Sequence, residues 1–588
     1  MPFTAEMRRA IDQIRDYLFG GGYPDPVANA EQLSFLFFFY LVEGIDKENA
    51  LRAKVLKQPY ESLFAGEWKL KNPLNAPAKD VKSISKEHFR WSVWVKGLSG
   101  ESLVRFVRDE VFAFFAEMGE QSAHNFMHGA RLSIDEPTVL TQVINLVDGL
   151  HLDQADADTK GDLFEHVLRQ IKQAGELGQF RTPRHIIRAI VEMIDPQVGE
   201  TIYDPAAGTA GFLVAAYNHM RLAHSTKDAI HQDEVDGKLQ RRGYGDKLSA
   251  AQVSALQNAT FYGNDVDPKM VHLATMNLTL CGLPNVRILQ RNVLTTTLDN
   301  ERRTELGLPQ EDYHVVLANP PFSGRVDKDR IVDEVKVGTS TSTELLFLKY
   351  MMDSLRPGGR CGVIVPEGVL FGSTGAHKEL RRQLIEYCRV QAVLSLPGGV
   401  FQPYSGVKTS VLFFQKPALS KIERGGSTDH VLFLHADNDG YKLDANHDVS
   451  IEADDLPLLL DAYRSREAGW QQWKKWKQQP FALSSSPQAG VSKGEPKQSG
   501  AQSFDTPPAK TAEAYSGRTE WPHKAWFASA EEIRANDFNL SAGRYRPMSQ
   551  AAVEHRDPRE LLDELSAIEV EIAEEVEALK AVLAEGAA

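Results

Sequence analysis

Hydrophobic positions take two textures along the chain. Through residues 1–160 they recur at helical spacing, as in "EQLSFLFFFYLVEGIDKENALRAKVL" and "GESLVRFVRDEVFAFFAEMGE", which predicts a helical N-terminal domain. From about 161 to 416 the texture changes. Short β-branched runs, "TIYD", "TFYGND", "VRILQRN", "HVVLANP", "GRCGVIVP", "VQAVLSLP" and "TSVLFFQ", alternate with helical stretches. That alternation predicts an α/β fold with a mostly parallel sheet covered by helices. A polar stretch at 224–250, "HSTKDAIHQDEVDGKLQRRGYGDKLSA", interrupts it and is expected to be a helical or loop excursion at the sheet rim.

Beyond 416, "VLFLHADNDGYKLDANHD" predicts a small β addition, and "WQQWKKWKQQ" lies in a helix. Its Trp470, Trp473 and Trp476 stand at steps of three among Lys474, Lys475 and Lys477. Basic residues among aromatics can track a phosphate backbone, but a Trp stripe at this spacing is more often packing. Residues 482–518 are rich in Ser, Pro, Gly, Gln and Lys and read as a flexible linker. In the tail, Leu565, Ile568, Ile572, Val576, Leu579 and Leu583 recur at steps of three and four, which suits a coiled coil or a helix docked on a partner. A terminal helix folded back on its own chain would show the same seam. The resulting division is a helical domain at 1–160, a catalytic domain at 161–480, a linker at 481–520 and a partner-binding segment with a helix at 521–588.

Composition narrows this picture. The net charge is −14, and between 551 and 588 eleven acidic residues face three basic ones. A protein gripping duplex DNA alone normally carries excess Lys and Arg. A nucleic-acid substrate would therefore need a local basic surface or a partner. Three cysteines without a C-x-x-C argue against a disulfide framework or zinc cluster, and no metal site is expected. The most apolar run, "LSFLFFFYLV" at 33–42, is too short to span a bilayer, and a cytoplasmic location is expected.

The candidate chemistry sits at strand ends. "TIYDPAAGTAGFLVAA" places Asp204 after a strand and then a small-residue loop through Ala206, Gly208, Thr209 and Gly211 into a helix. Small residues let backbone approach a ligand, and the helix start offers free N–H groups. The loop is not G-x-G-x-x-G, so a dinucleotide is not the natural ligand. Asp265, after the next strand, can accept hydrogen bonds from both ribose hydroxyls of an adenosine-containing cofactor, or can cap the following helix. Asn292 follows the third strand, and Asn319-Pro320-Pro321-Phe322 closes the fourth.

Taken in order, these loops resemble those of S-adenosylmethionine-dependent amino-methyltransferases, whose [Asn/Asp]-Pro-Pro-[Phe/Tyr/Trp] motif the tetrapeptide matches. Upstream, "GQFRTP" is similar to the G-x-[Phe/Tyr]-x-T-P signature of N6-adenine methyltransferases. The likeness implies that Gly178, Gln179, Phe180, Thr182 and Pro183 line the methionine end of the cofactor; Thr182 could also cap the next helix. A nucleobase amine is a weak nucleophile because its lone pair is delocalised into the ring. Acceptors at the Asn319 side-chain oxygen and the Pro320 carbonyl would free that pair, and prolines add no competing N–H. Phe322 would stack on a base taken out of the helix.

The whole layout resembles the modification subunit of type I restriction–modification systems, down to "WFASAEEIRANDFNLSAGRY" at 526–545. That resemblance implies a Rossmann-like S-adenosylmethionine-dependent sheet and methylation of adenine N6 in duplex DNA. It also implies a separate specificity subunit, commonly a second copy of this chain, and in fuller assemblies a restriction subunit. No Walker-type loop is present here. Ala210 stands where such loops often have glycine. A stand-alone or other phage-defence DNA adenine methyltransferase, an RNA or protein-glutamine amino-methyltransferase and a non-catalytic scaffold remain as rival readings.

Overall fold

The apolar runs become a nine-stranded sheet because strands covered on both faces need no polar alternation. The computed structural model describes residues 4–57, 59–69, 83–120, 126–127, 129–173, 182–235, 238–310, 312–402, 406–418, 428–444, 447, 449–478 and 524–547. Its main strands are β1 (Ile202–Asp204), β2 (Phe261–Asp265), β3 (Arg287–Gln290), β4 (Tyr313–Ala318), β5 (Leu355–Pro366), β6 (Arg389–Ser395), β7 (Thr409–Gln415), β8 (His430–His435) and β9 (Ala525–Ser529). They lie in the order β9-β8-β6-β7-β5-β4-β1-β2-β3. Pairing is parallel from β3 through β5, antiparallel where β7 joins β5 and β6, parallel between β6 and β8, and antiparallel at β9.

The chain winds outward from β1 to β3 and then returns to place β4 on the other side of β1. This reversal opens a crevice beyond the carboxyl ends of β1 and β4, the usual ligand position in open α/β sheets. The loops after β1, β2 and β4 all reach it. Residues 525–529 add β9 at the far edge, in register Val431↔Ala528 with β8. The closing segment through Tyr545 is therefore part of the catalytic sheet. Trp473 is buried against Phe527 of that strand, and Trp470 stacks on His430 at 4.5 Å, so these two tryptophans pack rather than face solvent as a stripe.

Two expectations need correction. The 224–250 excursion is a β-hairpin, Ile230–Val235 paired antiparallel with Lys238–Gly243. The N-terminal region is not all helical: among its described residues Glu67–Lys69 pairs with Ser83–Ser85 in a two-stranded ribbon. Its core is aromatic: Phe89 stacks on Phe114 at 4.1 Å, and Phe35 and Phe39 of the 31-residue helix Pro26–Leu56 pack on Phe112 and Phe115. Leu163, Phe164, Val167 and Leu168 of helix Ala157–Gln173 belong to this core. So do Met270, Leu273, Met276 and Leu280, whereas Ala274 and Leu278 of the same helix, Pro268–Leu280, pack on the sheet. One helix thus serves as the wall between the two cores. Residues 481–520 and the 551–588 seam lie outside the described residues.

Candidate active site

β1 delivers Asp204 into the crevice, 1% exposed, where its Oδ1 accepts the Ala206 N–H at 3.0 Å. Burial pushes this carboxyl up to about 8, with the neighbouring Asp265 charge adding to the effect. The loop then turns through Gly208 and Ala210, both with positive φ, +51° and +62°. Ala210 therefore holds a left-handed conformation that a Cβ disfavours. The Ala207 N–H donates to the Asn264 carbonyl at 2.9 Å, drawing the loop over β2. Gly263 permits this approach, since a Cβ there would stand 2.8 Å from the Ile288 side chain and 3.1 Å from that of Ala207.

Asp265 ends β2 with one carboxylate oxygen accepting the Gly208 N–H at 3.0 Å and the other the Asp267 N–H at 2.9 Å. Burial raises its pKa, and these N–H bonds oppose the rise. It does not cap the next helix; Asp267 does, through the Lys269 N–H. Asn292 turns inward on itself, its Oδ1 accepting the Leu294 N–H at 3.0 Å.

At the end of β4, the Asn319 Nδ2 donates to the Thr182 hydroxyl at 2.9 Å. Asn319 Oδ1 is buried and has no hydrogen-bond partner among the described residues. Thr182 thus fixes the amide with its oxygen unspent. It does not cap the helix Arg184–Ile194; Pro183 occupies that position and there is no side-chain cap.

A cavity of about 1190 Å³ joins these groups. Of the residues singled out from sequence, Thr182, Asp204, Ala206, Gly208, Thr209, Gly211, Asp265, Asn292, Asn319 and Pro321 line it, whereas Pro183, Pro320 and Phe322 do not. Gly178, Gln179 and Phe180 lie outside the described residues. Phe322 is 7% exposed, its ring edge-on to Phe401 at 5.1 Å, so in this conformation it is not open to stack on a base. Two contributors escaped the sequence reading. Asn277, fully buried on the shared wall helix, donates to the Thr209 carbonyl at 2.8 Å and steadies the loop. The hairpin adds Arg241 and Arg242 to the cavity wall, with Arg242 paired to Asp162 at 2.7 Å. A lone amide in the apolar run "MVHLATMNLTL" was the signal for the first, and Asp236-Gly237 between alternating residues the signal for the second.

The pattern of the family described as N-6 DNA Methylase matches residues 155–480, more than half of the chain. The chain belongs to the N-6 DNA methylase family. Within it, the methylase subunit of the Escherichia coli type I restriction enzyme EcoEI is 30% identical over 417 residues, 66% of this chain and 75% of that one. The EcoKI methylase subunit of E. coli K12 is 30% identical over 339 residues, 56% of this chain and 58% of its own. Among solved structures, a chain from work on the assembly and conformational transition of a type I restriction–modification system superposes with a TM-score of 0.61, at 23% identity and 99% coverage of both chains. A type I methyltransferase subunit from Streptococcus thermophilus gives 0.56 at 17% identity, covering 92% of this chain and 98% of its own. These two likenesses concern the fold alone.

Proposed function

We infer that this chain transfers the methyl group of S-adenosylmethionine to adenine N6 in duplex DNA, as the modification subunit of a type I restriction–modification complex. The observation that carries the reading is the Asn319 amide: its N–H is spent on Thr182, and its oxygen is buried, without a hydrogen-bond partner among the described residues, on the cavity shared with Asp204, Asp265 and the 206–209 loop.

The residues present fit the cofactor. The cavity accommodates an adenosine-sized ligand, the small loop residues bring backbone close, and Asp265 supplies carboxylate oxygens for ribose hydroxyls. S-adenosylmethionine supplies an electrophilic methyl group at this point. The chain's own task is to make the adenine amine a nucleophile. Asn319 Oδ1 accepts one N–H of that amine, drawing the nitrogen toward tetrahedral geometry and releasing its lone pair; Pro320 is off the cavity wall, so its carbonyl reaches the other N–H only as the bound base shifts the 319–322 turn. A preset acceptor such as Asn319 Oδ1 costs no reorganisation at the moment of transfer. No covalent enzyme intermediate is required. After transfer, the amine's extra proton leaves from nitrogen to water or to a nearby acceptor.

Target choice falls to a separate specificity subunit, with a second copy of this chain and a restriction subunit completing the assembly. The acidic charge fits a chain whose DNA grip is shared with partners. Among the described residues no helix is long and apolar enough to cross a membrane, and we place the complex in the cytoplasm. The test is to co-purify the tagged chain from its host with its partners and map N6-methyladenine in host DNA. The reading requires a motif-specific mark that disappears when this chain is deleted and returns with the wild-type chain. A mark indifferent to the deletion contradicts it.

A further inference from the structure

Outside the catalytic residues, two imidazoles and one carboxylate converge on a single point. Asp439, on the ribbon Asp439–Tyr441 with Ser450–Asp454, is 0% exposed. His185 Nε2, from the helix Arg184–Ile194, lies 2.9 Å from Asp439 Oδ2. His447 Nε2 lies 2.9 Å from the same oxygen, and the His447 side chain is wholly buried. One ligand atom from each residue falls within 4.8 Å of the other two. His185 and Asp439 are 254 residues apart in sequence, which is why no motif announced them.

A purely hydrogen-bonded cluster accounts poorly for His447. Its Nε2 approaches Asp439 Oδ2 closely but not in a hydrogen-bonding direction, and neither ring nitrogen has a hydrogen-bond partner among the described residues. Buried imidazole nitrogens are normally satisfied, and one left bare calls for an explanation. Side-on approach at this spacing is how ligands of one cation stand. Atoms bonded to a divalent zinc at about 2.0–2.1 Å are about 3 Å apart at right angles and about 3.4 Å apart at the tetrahedral angle. Asp439 Oδ1 is used elsewhere, accepting the Tyr441 N–H at 3.3 Å, so Oδ2 is the oxygen left for the shared point. The Tyr441 ring stacks on His185 at 4.3 Å and fixes that imidazole's plane.

We propose that His185, Asp439 and His447 form a binding site for a first-row divalent transition cation, zinc in particular, which clamps the 439–454 ribbon to the helix following Thr182. Two imidazoles with one carboxylate select zinc over magnesium or calcium, which take oxygen ligands. Three protein ligands leave a fourth position for water. The role is structural. The clamp sits at the first turn of the helix that follows Thr182-Pro183, the stretch whose hydroxyl orients Asn319.

The test uses the full-length chain purified without an affinity histidine tag or added metal. Elemental analysis is expected to give about one zinc per chain, retained on dialysis and removed by a strong chelator with a fall in thermal midpoint that added zinc reverses. Cobalt(II) exchanged into the site is expected to give visible d–d absorption. Asp439→Asn and His447→Gln are expected to lose the zinc and the cobalt spectrum, whereas Asp437→Asn keeps both. Wild-type chain that carries no zinc and whose thermal midpoint is unmoved by zinc or chelator overturns the proposal. Zinc that survives both ligand substitutions overturns it equally, because the metal then sits elsewhere.

Discussion

The loops at the carboxyl ends of β1, β2 and β4 and the antiparallel edge around β6 to β9 put their buried polar groups to different uses. At the edge, the buried polar groups of Arg381, Thr428 and Trp526 are matched. Arg381, 2% exposed, donates to the carbonyls of Phe538, Val369 and Gly372 at 2.9, 3.0 and 2.9 Å. The Thr428 hydroxyl accepts from the Val390 N–H and donates to the Cys388 carbonyl, and Trp526 donates to the Ala542 carbonyl. In the loops, Asn319 Oδ1 has no hydrogen-bond partner among the described residues, and Asp204 is so enclosed that its carboxyl is pushed up to about 8. An unmatched buried polar atom costs about 1–3 kcal/mol. The edge is not wholly free of that cost, since His430 Nδ1 on β8 also lacks a hydrogen-bond partner among the described residues, but at Asn319 the atom left over is an acceptor on the cavity, where the proposed chemistry needs one in waiting.

The difference can be broken from either side. At the edge, Arg381→Met strands three carbonyls and is expected to destabilise folding by about 3 kcal/mol or more, read in denaturant unfolding, with methylation per folded molecule unchanged. In the loops, Asp204→Asn acts through pH. The folded carboxyl has a raised pKa, so folding binds a proton and wild-type stability is lost as pH rises from the ordinary 3.8 through about 8. The variant is expected to lack that slope and to exceed wild type by a few kcal/mol at pH 9, converging with it below pH 4, in thermal unfolding across pH. A smaller effect follows from Thr182→Val. Losing one hydrogen bond leaves the Asn319 amide free to turn, with roughly a tenfold fall in methylation rate and little change in unfolding. Smallest is Ala210→Gly, which relieves a left-handed alanine and is expected to raise stability by about 0.5–1 kcal/mol in the same denaturant assay.

How much of this was legible in the sequence divides along the same line. Strands β1 to β7 announced themselves as contiguous apolar runs because burial on two faces removes the need for alternation. Asn319, Asp265 and the 206–211 loop were legible because each follows such a run directly. What depended on distant contacts was hidden. The Thr182–Asn319 bond joins residues 137 apart, and local grammar suggested only a helix cap for Thr182. Asp265 could be read as the cap of the next helix, but packing turns it to the Gly208 N–H and leaves the cap to Asp267, two residues on. Phe322 carries a motif position whose stacking role the burial against Phe401 does not display. β9 was hidden because its partner, β8, lies on the other side of the linker.

The central claim is that the unspent oxygen of Asn319 activates the adenine amine, and it is tested most directly in the co-purified complex. Methyl transfer to duplex DNA would be timed for wild type, Asn319→Ala and Asn319→Asp, with S-adenosylmethionine binding measured on each. The account predicts a loss of roughly 10²–10³-fold for Asn319→Ala with cofactor affinity and unfolding midpoint unchanged, and a smaller loss for Asn319→Asp, which keeps an acceptor. Methylation by Asn319→Ala at the wild-type rate would contradict it.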